Sequence, residues 1–112
     1  MITIALMHAE YDKKHLEEVK KIMEVKGAPT IRAIWSDMYG IWLAIEGCHR
    51  IRAAKELGLT PIIKDVSNQK TVTCQLRGEN VKIPVSKLRE MLHDTAWATK
   101  IMDFETDEDD EA

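Results

Sequence analysis

Hydrophobic and polar residues alternate through the middle of the chain, between Tyr39 and Glu46. A period of two in aromatic and β-branched residues predicts a β-strand. The alternating positions divide into two faces, with Ile41, Leu43 and Ile45 on one and Trp42, Ala44 and Glu46 on the other. Gly47 interrupts the alternation and marks the end of the predicted strand.

The spacing of apolar residues changes after Gly47. Apolar positions recur every three residues from Cys48 to Leu57, which predicts a short helix. Gly58 follows at a position where a left-handed residue commonly ends a helix. Pro61–Val66 is short and apolar and predicts the next strand. This strand, turn, helix and strand form the centre of the predicted fold.

The residues before this unit predict a similar series of elements. Residues 2–6 alternate and predict a first strand, and Asp12 is a favourable N-cap for a helix that ends at Gly27. Residues 30–35 predict a second strand, which a turn over residues 36–40 connects to the central strand.

The C-terminal part predicts a β-hairpin and a final helix. Residues 71–76 and 81–85 predict the two strands of the hairpin, and Ser86 caps a helix that is expected to reach Met102. The predicted fold is therefore α/β, a small mixed sheet with helices that is extended by a C-terminal hairpin and helix. Residues 1–102 are expected to form a single domain.

Composition and charge limit the classes of function. The chain has 112 residues, of which 45% are hydrophobic and 31% charged, and no apolar run approaches the length of a membrane span. The first residues lack the features of a secretory signal, and two cysteines make no disulfide framework. We therefore expect a cytoplasmic protein that makes no membrane contact.

The acidic residues are concentrated at the C-terminus. Residues 103–112 carry seven of the 19 acidic residues and no basic residue, whereas residues 1–102 carry all 16 basic residues. Such a charged segment cannot pack against a core, so residues 103–112 are expected to be a disordered acidic tail.

Candidate chemistry is concentrated at residues 47–50, where the central strand turns into the helix. The first amides of a helix have no partners within the helix and attract anions. Gly47 permits close approach of a ligand to the backbone, and Arg50 offers two parallel donors to phosphate oxygens. This composition favours a phosphate-binding turn, although an ordinary strand-to-helix turn explains the same four residues.

Cys48 and Glu46 are the candidate catalytic residues. The start of a helix beside His49 and Arg50 favours the thiolate form of Cys48, which is the nucleophile. Alternatively, Cys48 is a small apolar residue on the inward side of the helix. Glu46 either points towards the ligand as a base or magnesium ligand, or lies in solvent. The remaining histidines have no zinc-site spacing, so no metal site is assigned.

The segment IEGCHRIRAAKELG resembles the signature of the ParB/sulfiredoxin superfamily, and the similarity covers residues 2–66. The resemblance implies a ParB/sulfiredoxin-like fold that binds a nucleotide, ATP, ADP or CTP with Mg²⁺. It assigns the phosphate contacts to Gly47, Cys48, His49 and Arg50. In sulfiredoxins a lysine in the first turn of the first helix also contacts the nucleotide, and Lys14 and His15 occupy that region here.

The Gly-Cys-His-Arg motif matches the sulfiredoxin branch of the superfamily. The superfamily resemblance leaves phosphoryl transfer open, and this closer match implies an ATP-dependent reduction of a sulfinic acid on a peroxiredoxin, with Cys48 as the nucleophile. Two other classes of function stay open. One is a DNA-binding or DNA-cleaving accessory protein, and the other is a non-catalytic protein-interaction module.

Overall fold

The structure is a computed structural model, and it describes residues 1–96 and 99–106. Within these residues the chain forms three helices and seven strands. The helices are α1 (Lys13–Lys26), α2 (Cys48–Leu57) and α3 (Val85–Thr95). The strands are β1 (Ile2–Ala5), β2 (Thr30–Ser36), β3 (Ile41–Ala44), β4 (Ile62–Asp65), β5 (Thr71–Leu76), β6 (Glu79–Pro84) and β7 (Ile101–Phe104).

A mixed sheet of five strands, in the order β4-β2-β3-β1-β7, lies at the centre of the molecule. Strands β1 and β3 pair in parallel, and so do β2 and β4, whereas β2 is antiparallel to β3 and β7 is antiparallel to β1. The two parallel pairs therefore run in opposite directions. The carboxyl ends of β1 and β3 meet at one end of the sheet, and those of β2 and β4 meet at the other.

The two faces of the sheet are covered by different layers. Helices α1 and α2 pack on one face, where Leu16 and Ile51 meet Ile4 and Ala44 of the strands. The β5–β6 hairpin and α3 pack on the other face. The alternation predicted for the central strand is confirmed, because its residues 41, 43 and 45 lie in the hairpin layer and its residues 42 and 44 lie in the helical layer.

The α/β class, the mixed sheet and the order of elements up to the hairpin are confirmed, with shorter bounds than predicted for the central strand. The prediction for the last helix is wrong at both ends. Pro84, rather than Ser86, is the N-cap residue of α3, and the helix ends at Thr95 instead of Met102. Trp97, which was expected in this helix, lies outside the described residues.

The residues after this helix add a strand to the sheet. This strand, β7, pairs with β1, so that Met102 lies opposite Ile4 and Phe104 lies opposite Ile2. Phe104 is 3% exposed, because it packs into the layer of α1 and α2. The expected tail boundary at residue 103 is therefore wrong for Asp103 and Phe104, which are strand residues. Residues 107–112 of the predicted tail lie outside the described residues.

The helices described here are too short to cross a bilayer, the longest being α1 with 14 residues.

Candidate functional site

A cleft of about 660 Å³ opens at the carboxyl ends of β1 and β3. One wall is the start of α2 with the end of β3, and the opposite wall is the β5–β6 hairpin. The lining includes Gly47 and seven residues that carry a charged, titratable or reactive group, which are His8, Glu10, Arg32, Glu46, Cys48, His49 and Cys74. Because ligands of α/β proteins commonly bind beyond the carboxyl ends of parallel strands, this cleft is the candidate site.

The turn into α2 depends on Gly47 for reasons of packing. Gly47 is the N-cap residue and is left-handed, with φ 77°. A Cβ at this position would lie 2.6 Å from Cδ1 of Ile31. The glycine is therefore required by the chain itself, whether or not a ligand binds.

The start of α2 has no side-chain cap. Among the described residues, no side chain accepts a hydrogen bond from the backbone amides of Cys48, His49 or Arg50. Gly47, Cys48 and His49 line the cleft, so the positive end of the helix dipole lies beside it. The arrangement suits an anionic group with several oxygen acceptors.

Glu46 is held by an arginine that the sequence analysis did not single out. The Nη2 of Arg32 donates to Oε1 of Glu46 at 3.1 Å, and the backbone N–H of Arg32 donates to Oε2 at 3.2 Å. Each of the two side chains is 29% exposed. The sequence did contain a signal for this ion pair, because Arg32 lies inside the apolar stretch TIRAIW. A charged residue that faces a core layer needs a partner of opposite charge.

These contacts lower the pKa of Glu46. Burial alone raises the pKa of this carboxyl, but the hydrogen bonds from Arg32 and the charges of Arg32 and Arg50 outweigh burial and bring the pKa below its ordinary value. Glu46 is therefore a carboxylate at neutral pH. This state suits a magnesium ligand better than a proton donor.

Arg50 does not line the cleft. Its Nη1 donates to the backbone oxygen of Thr30 at 3.1 Å, and its Nη2 lies 3.7 Å from Oε2 of Glu46. The side chain borders a different cavity, between α1 and the turn at Gly27. In this conformation Arg32, and not Arg50, presents a guanidinium to the candidate site.

His49 lines the cleft and also holds the loop between β1 and α1. Its Nε2 accepts a hydrogen bond from the backbone N–H of Asp12 at 3.0 Å, so that nitrogen carries no proton. Its ring meets the ring of His15 edge-on at 4.5 Å. Burial is the largest cause that lowers the pKa of His49, with smaller contributions from His15 and Arg52 that exceed the opposite effect of Asp12.

Lys14 and His15 do not line the cleft, although both were predicted to contact the ligand. Their backbone amides donate to Oδ1 of Asp12, which caps α1. The ring of His15 contacts the ring of His49 but does not itself line the cleft. Arg52 of α2 also holds the loop, since its Nη2 donates to the oxygen of Ala9 at 2.6 Å and its guanidinium lies 4.3 Å from the centre of the Tyr11 ring.

Both cysteines of the chain line the cleft. Cys48 is half-buried and packs against the helical layer, so the two interpretations of this residue, reactive and structural, both fit its position. Cys74 is buried in the hairpin layer, and burial raises the pKa of its thiol despite the nearby charge of Arg32. Cys74 is therefore a neutral thiol at neutral pH.

No group of three or more metal-ligating side chains occurs within residues 1–96 and 99–106.

No family model, curated protein or solved structure matches this chain.

Proposed function

We propose that this protein binds a nucleotide such as ATP, ADP or CTP, and that the nucleotide's phosphates lie at the start of α2. The observation that carries the proposal is the uncapped start of this helix, which faces a cleft large enough for a small ligand. The resemblance of IEGCHRIRAAKELG to the ParB/sulfiredoxin superfamily supports the same site and the same class of ligand.

Charge in the cleft favours a nucleotide that is bound with Mg²⁺. Two carboxylates line it, Glu10 and Glu46, and Arg32 is the arginine among its lining residues. A free triphosphate would meet repulsion from these carboxylates. Magnesium is commonly held by one or two carboxylates together with phosphate oxygens, so a magnesium–nucleotide complex resolves the repulsion. In this arrangement Arg32 contacts the phosphates and keeps Glu46 in place.

Cysteine chemistry is the extension of this proposal. In the reaction that the resemblance implies, the γ-phosphoryl group of ATP passes to the sulfinate of a partner cysteine and ADP leaves. The sulfur of Cys48 then attacks the activated sulfur and displaces phosphate, which leaves a thiosulfinate. Two equivalents of an added thiol convert this thiosulfinate into a sulfenic acid and free Cys48, and the thiol ends as a disulfide. The position of Cys48 in the lining of the cleft, at the start of α2, is compatible with this role.

Binding is tested by titrating ATP, ADP and CTP, each with and without Mg²⁺, in isothermal calorimetry. We expect Arg32→Gln to weaken binding about tenfold or more, because a hydrogen bond between charged groups contributes roughly 1.5–3 kcal/mol. Arg50→Gln is the matched comparison, because Arg50 is the arginine to which the resemblance assigns a phosphate contact. Arg77→Gln, in the hairpin turn outside the cleft, is the control.

The outcomes separate the hypotheses. A large loss with Arg50→Gln and none with Arg32→Gln would show that the arginine of the motif swings into the cleft on binding. If none of the three nucleotides binds, the proposal is rejected. The DNA-binding and interaction-module hypotheses then remain. Cys48→Ser is expected to bind ATP as well as the wild type does and to fail to reduce a sulfinylated peroxiredoxin. No turnover by the wild type would reject the cysteine chemistry alone.

A further inference from the structure

A second cavity, of about 700 Å³, lies at the opposite end of the sheet from the candidate site. It opens where the parallel strands β2 and β4 end, between these strands and α3. Its walls include Trp35 and Trp42, whose rings meet edge-on with centroids 5.0 Å apart. Neither the nucleotide proposal nor the superfamily resemblance uses any of its residues.

The polar groups at this cavity are fixed in place by hydrogen bonds. The indole N–H of Trp35 donates to Oδ1 of Asp37 at 2.9 Å, and its backbone N–H donates to Oγ of Ser67 at 2.7 Å. The backbone N–H of Ser67 in turn donates to Oδ1 of Asp65 at 2.8 Å. The Asp37 carboxylate is therefore held beside the Trp35 ring and the Asp65 carboxylate is held by Ser67 at the same cavity, and the Oδ2 of each has no bond to another described residue.

The α3 side of the cavity contributes Arg89 and His93. The buried Nε of Arg89 has no hydrogen-bond partner among the described residues. A buried donor without an acceptor is costly, so this group favours a ligand that brings an oxygen. His93 is already engaged, since its Nε2 lies 2.8 Å from Oγ of the buried Ser36.

The rim of the cavity is apolar and exposed. Met38, in the turn between β2 and β3, is 71% exposed, and Trp35 is 36% exposed. Tryptophan, methionine and arginine are the residues that protein–protein interfaces concentrate, above all at the positions that contribute most to binding. Their presence around one fixed cavity is typical of a surface that binds another protein.

We propose that this cavity binds a partner protein through a lysine or arginine side chain. The cation lies against the tryptophan rings and between the carboxylates of Asp37 and Asp65, while a backbone carbonyl of the partner accepts from Arg89. A free organic cation binds too weakly, because an exposed ion pair or cation–π contact contributes at most about 1 kcal/mol. The partner must therefore also cover Met38 and Trp35. The two carboxylates disfavour a nucleic acid as the occupant.

The test uses three capped peptides, Ac-Leu-Arg-Leu-NH₂ and the versions with Glu or Gln at the central position. Each is titrated into the full-length ¹⁵N-labelled protein, and chemical-shift changes are followed at the indole N–H groups of Trp35 and Trp42. We expect saturable changes at both indoles with the arginine peptide and weaker changes with the other two. Equal binding of the glutamine peptide, changes at other surfaces only, or no change at any concentration would overturn the proposal.

The decisive variant is Asp37→Asn with Asp65→Asn. Asparagine keeps the Oδ1 acceptors of both residues, so the hydrogen bonds that hold Trp35 and Ser67 are retained while both charges are lost. We expect a fivefold to tenfold weakening for the arginine peptide and no change for the glutamine peptide. Asp94→Asn, on α3 outside the cavity, is the control and should bind as the wild type does. An unchanged affinity in the double variant would reject the role of the carboxylates.

Discussion

Helices α1 and α2 pack side by side on the same face of the sheet, yet they begin in opposite ways. The N-cap residue of α1 is Asp12, in an extended conformation, and its Oδ1 accepts from the amides of Lys14 and His15 at 2.9 and 3.2 Å. The N-cap residue of α2 is Gly47, which is left-handed and has no side chain to offer. The first helix start is satisfied by the chain itself, whereas the second is left to solvent or a ligand.

The difference separates a helix start that contributes to stability from one whose amides stay available to solvent or a ligand. A capped start contributes about 1 kcal/mol to the folded state and has little left to bind an anion. An uncapped start gives up that stabilisation and keeps its amides and dipole for a ligand. The two starts are linked, because His49 in the first turn of α2 accepts a hydrogen bond from the backbone N–H of Asp12.

The largest effect is expected from Gly47→Ala. The substitution forces an L residue into the left-handed region and drives its Cβ to 2.6 Å from Ile31, so we expect a loss of about 2–4 kcal/mol in the free energy of unfolding. Urea denaturation followed by circular dichroism measures the loss.

The matched control is Gly40→Ala, in the turn between β2 and β3. Gly40 also has a positive φ, 66°, but a Cβ there has no neighbour within 4 Å. Only the backbone strain is added, so we expect a loss of about 1–2 kcal/mol. Equal losses in the two variants would show that the contact with Ile31 is relieved at no cost.

A smaller effect is expected from Asp12→Ala, which removes the cap of α1. We expect a loss of about 1 kcal/mol in the free energy of unfolding, because two amides lose their acceptor. Asp12→Asn keeps an acceptor and should recover most of that stability. If Asp12→Ala instead abolished nucleotide binding and left stability unchanged, the division between a structural and a binding helix start would be wrong.

Much of this difference could be predicted from the sequence. Asp12 before a helical pattern and Gly47 at a break in alternation identified both helix starts, because local chemistry decides how a helix begins. The central strand and its two faces also followed from local periodicity. These features need no information from distant parts of the chain.

The last part of the fold depends on contacts between distant residues, and local patterns did not show them. The helical spacing after Ser86 continues past Thr95, but residues 101–104 pair with β1, nearly a hundred residues earlier. The edge of β1 provides backbone hydrogen bonds to residues 101–104, and the layer of α1 and α2 buries Phe104. A longer helix would have neither of these contacts. Helical periodicity alone carries no sign of that competition.

The grouping of the motif residues at one cleft follows from local sequence, whereas the orientation of the side chains around them does not. The motif identified Gly47, Cys48 and His49, which all line the cleft, because the turn that groups them is local. The orientation of Arg50 depends on Glu46 and on the oxygen of Thr30, and the contribution of Arg32 depends on the pairing of β2 with β3. Both facts follow from the register between strands, which the motif does not contain.

The smallest effect is expected from pH, through His49, the residue that links the two helix starts. Because the folded state lowers the pKa of His49 below the ordinary 6.5, the unfolded chain takes up a proton at this residue more readily than the folded protein does. The stability that comes from keeping His49 neutral in the folded state, chiefly through its burial, is therefore complete above pH 6.5 and is lost as the pH falls through the lower folded value.

The prediction is tested by urea denaturation at pH 7.5 and pH 5 for the wild type and His49→Gln. Glutamine can accept from the amide of Asp12 but does not titrate, so the variant should lose less stability on acidification than the wild type. His8→Gln, at an exposed histidine of the loop between β1 and α1, is the control and should leave the difference unchanged. If His49→Gln and the wild type lose the same stability, the linkage between the helix starts does not respond to protonation. Asp12 then caps α1 independently of His49.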